Sequence, residues 1–188
     1  MIWPTPISFH FELYAYWLAK RGPRRMPARD DISPADIKPL LPHLIITERD
    51  GDQFRYKLFG RGVVEDLGYD ATGYFVGEFL NNPNYYSEWR AVMEKLVALQ
   101  APHFVAGESC FESFCSGAHL DWSVLILPLS NDGITVNKEI ASLVARFHRG
   151  AQVRGWSEHQ PAKVLEIAAF KNENELKQLC ADWQLEPA

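Results

Sequence analysis

The chain has 188 residues, 47% of them apolar, which suits one folded domain with a sizeable core and an extension. A net charge of −5 and the lack of a long apolar run argue against nucleic acid or a membrane as a partner. The three cysteines form no even disulfide set and the N-terminus lacks the features of a signal peptide, so we expect a cytoplasmic protein.

Residues 1–42 predict a helix followed by a proline-rich lead-in. One face of this helix is apolar and carries Phe9, Leu13, Tyr16 and Trp17. Gly22 and Pro23 end the helix, because neither residue type continues it well. Phe11 and Tyr14 add aromatic surface beyond what one packing contact uses.

Residues 43–150 predict a sheet whose strands are interrupted by helices. Two short strands are joined by an Asp50–Asp52 turn, and a short helix near Gly62 to Leu67 follows the second strand. A long helix then carries Trp89 and Met93 on its apolar stripe, and three further segments alternate with the two-residue period of strands. This order predicts an α+β fold with a five-stranded antiparallel sheet, helices on one of its faces, and further helices at both termini.

Residues 151–188 form a C-terminal extension. The segment near Ala162 is ambiguous between strand and helix. Asn172, followed three residues later by Glu175, predicts a capped helix. The apolar positions of that helix are Leu176, Leu179, Cys180 and Trp183.

Four short motifs occur in order along the chain: an Arg-x-Met-Pro-x-Arg segment continuing to a proline, then Leu-Leu-Pro, Phe-Arg-Tyr and Gly-x-Asp-x-Thr-Gly. They occupy Arg24–Pro34, Leu40–Pro42, Phe54–Tyr56 and Gly68–Gly73. With the order of strands and helices, these motifs resemble the PAS-domain superfamily, and within it a family of small stand-alone bacterial PAS proteins. The similarity covers roughly residues 10–147. Two residues depart from the pattern, Arg61 where a small hydroxyl residue is usual and Tyr74 where a basic residue is common.

The resemblance implies a non-catalytic sensory or protein-interaction module that signals through an unknown partner protein. It also implies that the short helices close a cavity against the sheet, and that Asp70 and Thr72 stabilise a turn rather than act in catalysis. Helices that precede PAS domains commonly mediate dimers, so the aromatic surface of the N-terminal helix predicts a homodimer. Leu176, Leu179 and Trp183 would extend that interface.

We expect the cavity to hold a small, mostly apolar ligand, with the Tyr56 hydroxyl as its first polar contact. The predicted ligand-binding residues are Tyr56, Leu58, Val64, Leu67, Trp89, Met93 and Trp122. A well-filled core is the alternative for these large side chains. We expect no cofactor, because the long helix has no histidine for haem and the cysteine signature of flavin photosensors is absent.

Two clusters suggest other chemistry. His103, Cys110, Cys115 and His119 lie close in sequence, but their spacing matches no compact zinc site, so we predict no metal. Glu65, Asp66, Asp70 and Glu78 form an acidic cluster, but solvated helix ends explain it more simply than catalysis does. We therefore predict no catalytic residue. The alternative is a small α+β lyase or isomerase that uses a carboxylate inside the cavity.

Overall fold

A computed structural model of the chain describes residues 7–67, 69–78, 83–109, 119–148 and 162–183. Its helices are α1 (Ser8–Arg21), α2 (Arg61–Leu67), α3 (Pro83–Leu99) and α4 (Glu173–Asp182). Its strands are β1 (Leu44–Asp50), β2 (Gln53–Phe59), β3 (His103–Ser109), β4 (His119–Leu129), β5 (Lys138–His148) and β6 (Ala162–Ala169). Single 3-10 turns occupy Arg29–Asp31 and Leu41–His43.

The described strands form one antiparallel sheet in the order β2-β1-β5-β4-β3-β6. The α+β fold is confirmed, and the sheet has six strands where the sequence predicted five. The added strand, β6, comes from the ambiguous segment and pairs along β3. Its sequence suits a helix or a strand equally, so the long-range pairing decides its structure.

Helices cover both faces of the sheet. Alternate residues of a strand point to opposite faces, so Ala141 and Leu143 of β5 face one side and Ser142 faces the other. α3 packs against β2 and β6, while α1 packs against β4 and β5 on the face to which Ser142 belongs. We name the α3 side the inner face and the α1 side the outer face.

A buried histidine attaches α1 to the outer face. His10 is fully buried, with Nδ1 2.7 Å from Ser142 Oγ and Nε2 3.0 Å from Ser123 Oγ. Burial lowers the pKa of His10 to about 3, so the ring is neutral and has one nitrogen that donates and one that accepts. Nearby, Trp17 Nε1 donates to the carbonyl oxygen of Pro128 at 2.9 Å. These bonds fix the position of α1 across two central strands.

Most of the aromatic surface of α1 is used inside the chain. Tyr14 and Trp17 are buried, and Phe9 packs on His43 with ring centroids 4.9 Å apart. The Tyr16 hydroxyl accepts a hydrogen bond from Ser33 N at 2.8 Å. Less aromatic surface is therefore exposed on α1 than the sequence suggested, and the homodimer stays a prediction.

The C-terminal helix is capped as predicted. Asn172 Oδ1 accepts from Glu175 N at 3.0 Å, and Leu176 and Cys180 are buried. Phe170, which precedes the helix, packs edge-on against Tyr14 of α1 with ring centroids 5.2 Å apart. β6 thus belongs to the same sheet as the other strands, and α4 contributes Leu176 and Cys180 to the same buried cluster. The division at residues 42 and 150 stays a prediction.

Candidate functional site

The turn after α2 covers the free edge of β2. Gly73 N donates to the Tyr56 carbonyl and Tyr56 N donates to the Tyr74 carbonyl, both at 2.9 Å. Within the turn, Asp70 Oδ1 accepts from Thr72 N at 2.9 Å, and Gly73 has a φ of +91° that favours glycine. The hydrogen bonds with Thr72 lower the pKa of Asp70. The Asp70 side chain therefore supports the turn through a backbone contact.

A substitution of Asp70 separates its charge from this hydrogen bond. We expect Asp70→Asn to change the free energy of unfolding by less than about 0.5 kcal/mol, because the amide oxygen still accepts from Thr72 N. Asp70→Ala removes the acceptor and should cost about 1 kcal/mol. Chemical denaturation of both variants measures these differences. Loss of function in a stable Asn variant would contradict the structural role.

Where β2 ends, the chain passes close to the lead-in. A Cβ atom at Gly60 would lie 2.3 Å from the Pro42 carbonyl oxygen, which no larger residue could avoid. Gly60 N also donates to the Leu44 carbonyl at 2.8 Å. This close approach positions α2 at the rim of the inner face.

A cavity of about 40 Å³ lies between the inner face, α3 and the segment around Tyr69. Its lining residues are Ile45, Thr47, Tyr56, Phe59, Leu67, Tyr69, Val76, Trp89, Met93, Trp122, Val124, Ile126, Glu139, Ala141 and Leu143. A single water needs about 10–15 Å³ of such space, so the cavity suits a few waters or a very small molecule.

Five of the seven predicted site residues line this cavity: Tyr56, Leu67, Trp89, Met93 and Trp122. Leu58 does not, because it is 40% exposed on the other side of β2. The pairing of β1 with β2 shifts register between Ile46 and Thr47, which leaves Lys57 without a cross-strand partner in the ladder and reverses the alternation of the residues after it. Phe59 consequently replaces Leu58 in the cavity wall.

Val64, the other predicted residue that does not line the cavity, is half-buried on α2. Its neighbour Val63 is fully buried, and Leu67 one turn later reaches the cavity. The helix is therefore rotated slightly from the predicted phase. Whether any of these residues binds a ligand stays a prediction.

Two buried polar side chains in the cavity wall were missed by sequence reasoning. Glu139 on β5 and Thr47 on β1 are cross-strand partners, and they are only 2% and 3% exposed. Among the residues described, neither Glu139 Oε1 nor Thr47 Oγ1 has a hydrogen-bond partner. Burial raises the pKa of Glu139 to about 8, and the nearby Thr47 hydroxyl opposes that rise.

Aromatic rings surround much of the remaining space. Trp89 and Trp122 stack with ring centroids 6.0 Å apart, and Phe59 lies 5.2 Å from Tyr56 and 6.0 Å from Tyr69. Burial raises the pKa of both tyrosines, so their hydroxyls stay neutral at physiological pH. Glu139 is the one carboxyl among the lining residues, and none of those residues is a lysine, arginine or histidine.

A family model described as a PAS domain matches residues 8–143, which covers α1 through most of β5. The chain belongs to the PAS-domain family. PAS domains are sensory or interaction modules and are generally non-catalytic. No curated protein matches this chain. The whole cavity wall of this PAS domain lies within the matched residues, whereas β6 and α4 lie beyond them.

The two departures from the family pattern lie outside the cavity of the PAS domain. Arg61 is exposed and pairs with Glu65 at 2.9 Å, and Tyr74 is 49% exposed. Neither contributes to the cavity wall.

Of the four residues in the zinc hypothesis, His103 is the one whose side chain the structure describes. His103 is buried, and its Nδ1 lies 2.8 Å from the Ala101 carbonyl. Cys110, Cys115 and the His119 side chain lie outside the described residues. No group of three potential ligands from His, Cys, Asp and Glu comes together among the described residues.

No described helix is both long and apolar enough to cross a bilayer.

The acidic cluster likewise stays away from the cavity. Glu65 and Asp70 are exposed, and Glu78 is exposed and accepts from Phe75 N at 3.2 Å. Asp66 is half-buried and is not part of the cavity wall. The exposure of Glu65, Asp70 and Glu78 agrees with the expectation that this cluster is solvated.

A surface groove of about 270 Å³ adjoins the cavity between β2 and α3. It is lined by Arg49, Asp52, Gln53, Phe54, Val76, Tyr86, Arg90, Met93, Glu94, Val97 and Ala98. Val76 and Met93 belong to both linings, so these two side chains form the wall between groove and cavity.

Proposed function

We propose that this PAS domain is a non-catalytic sensory and protein-interaction module of the bacterial cytoplasm that binds a small molecule in the cavity of its inner face. The observation that carries the proposal is the cavity itself, which has aromatic and apolar walls and two polar atoms that have no hydrogen-bond partner among the described residues. Such a site provides apolar contact together with a few orienting polar groups.

The output would pass through the sheet to α1. Ser123 lies between Trp122 and Val124, and Ser142 lies between Ala141 and Leu143. Both serines bond to His10, while their four neighbours line the cavity on the opposite face. A ligand that displaces β4 or β5 would therefore change the position of α1 on the sheet. We propose that α1 in turn contacts a second copy of the chain or a signalling partner.

The test fills the cavity from β5. Native mass spectrometry of freshly purified protein should show a retained small molecule, and Ala141→Val should lose it because two methyl groups enter the cavity. Ala145→Val is the matched control, since Ala145 lies on the same strand and face, is also buried, and is not part of the lining. Equal retention by both variants would refute binding in this cavity.

One observation favours a second function, that of a lyase or isomerase. Such an enzyme needs a carboxyl group inside the cavity, and Glu139 is there with a pKa of about 8, near the range of a general acid or base. Incubation of the extracted molecule with fresh protein distinguishes the two functions. An enzyme converts it to an isomer or cleavage products, whereas a sensor returns it unchanged.

A further inference from the structure

Thr47 and Glu139 form a buried polar site, and among the described residues Glu139 Oε1 and Thr47 Oγ1 have no hydrogen-bond partner. They are directly paired across β1 and β5, and both are more than nine-tenths buried. A buried oxygen without a hydrogen-bond partner costs about 1–3 kcal/mol, so proteins rarely leave two together without a use. Both residues line the cavity, so a bound molecule can reach them.

The surroundings of these oxygens favour a positively charged ligand. Five aromatic rings contribute to the wall, from Tyr56, Phe59, Tyr69, Trp89 and Trp122. Aromatic rings attract cations through their quadrupole, and this attraction is strongest where water is excluded. The lining residues disfavour an anion, because they include one carboxyl group and no basic side chain. The cavity wall thus provides a counter-charge for a cation and none for an anion.

We propose that the cavity binds a small amine as its ammonium ion, with Glu139 as the counter-charge and Thr47 as a second hydrogen-bond partner. The ammonium group donates to Glu139 Oε1 and to Thr47 Oγ1, and its alkyl part contacts the aromatic wall. The volume of about 40 Å³ limits the ligand to a few heavy atoms. This inference rests on the proposed function, because it names the class of ligand for the same cavity.

Binding releases a proton. In the empty cavity Glu139 is mostly protonated at pH 7, since burial raises its pKa to about 8. The ammonium ion replaces that proton: the O–H bond of the carboxylic acid breaks, the carboxylate stays with the cation, and the proton enters solvent. The other titratable groups in the wall, Tyr56 from β2 and Tyr69 from the segment after α2, stay neutral. α3 contributes Trp89 and Met93 to the wall, and neither side chain titrates. Lys138, the neighbour of Glu139 on β5, forms an ion pair with Glu48 at 3.4 Å and is not part of the wall.

The experiment titrates dialysed protein at pH 7 with methylammonium and ethylammonium chloride, and with acetamide and sodium acetate as the neutral and anionic probes. Calorimetry in two buffers of different ionisation enthalpy gives the number of protons released. We expect both amines to bind with release of nearly one proton and acetate not to bind. Glu139→Gln should weaken amine binding about tenfold or more and abolish the proton release, and Thr47→Val should weaken binding severalfold.

Glu48→Gln is the matched control. Glu48 neighbours Thr47 on β1, but its carboxylate is 40% exposed and pairs with Lys57 and Lys138 at the surface. This variant should bind both amines like the unmodified protein. If Glu139→Gln does not fold, the proton count of the unmodified protein and the Thr47→Val variant still decide the proposal.

The outcomes separate this inference from the proposed function. Binding of acetamide in preference to the amines, or amine binding without proton release, overturns the amine and leaves ligand binding intact. If the purified protein retains a molecule that is not an amine, and Ala141→Val loses it, the amine proposal is likewise overturned and ligand binding stands. If no probe binds and Ala141→Val retains as much as Ala145→Val, both proposals fall.

Discussion

Between pH 6.5 and 8 the free energy of unfolding of the unmodified PAS domain is expected to decrease by about 2 kcal/mol relative to that of a Glu139→Gln variant. Burial raises the pKa of Glu139 from 4.5 to about 8. The folded protein therefore keeps a proton that the unfolded chain has lost, and stability is lost as the pH rises through this range. Glutamine has no proton to lose.

The acidic side behaves in the opposite way. Burial lowers the pKa of His10 from 6.5 to about 3, so near and below pH 6.5 the unfolded chain binds a proton that the folded chain does not bind, and stability falls as the pH drops. The pKa values of His43, His103, Asp31, Asp36 and Asp132 are also lowered. Several groups share the acidic limb and the histidines still contribute near pH 6.5, so the comparison with Glu139→Gln is what isolates Glu139.

Urea denaturation at pH 6.5, 7, 7.5 and 8 measures this effect, with Glu48→Gln as the control that should follow the unmodified protein. A difference between the unmodified protein and Glu139→Gln that does not change over this range would show that the Glu139 carboxyl is solvated or paired. A saturating amine should make this difference constant too, because the bound ammonium ion holds Glu139 ionised at every pH in the range.

Local patterns in the sequence predicted the elements of this fold well. The helix with Trp89 and Met93, the capped helix after Asn172 and the strands of the sheet lie where periodicity and capping placed them. These features depend on neighbours within a few residues, which a single sequence displays. β6 was not predicted as a strand, because its pairing with β3 depends on residues distant in the sequence.

The candidate site was harder to predict because it depends on register. The bulge at Lys57 exchanges Leu58 for Phe59, and alternation cannot reveal an extra residue in a strand. Glu139 was not predicted, although it occupies the same face of β5 as Ala141 and Leu143. On β5 both faces are buried, so an apolar pattern alone does not show which face contains the cavity.

The second large effect concerns the attachment of α1. We expect His10→Leu to lower the free energy of unfolding by about 3–5 kcal/mol at pH 7. Leucine fills much of the space but makes no hydrogen bond, so the hydroxyls of Ser123 and Ser142 remain buried without their partner. Each such hydroxyl costs about 1–3 kcal/mol. Urea denaturation followed by tryptophan fluorescence measures the loss.

The serine substitutions show whether the loss comes from these hydrogen bonds or from packing. If the unpaired serine hydroxyls cause the loss of stability, a triple variant with His10→Leu, Ser123→Ala and Ser142→Ala should regain more than half of it, because both hydroxyls are removed. Glu12→Leu on the exposed side of α1 is the control for adding leucine to this helix, and it should change stability by less than about 0.5 kcal/mol. A triple variant as unstable as His10→Leu alone would show that the imidazole acts by shape. In that case the bonds to β4 and β5 would not be what couples α1 to the strands that line the cavity.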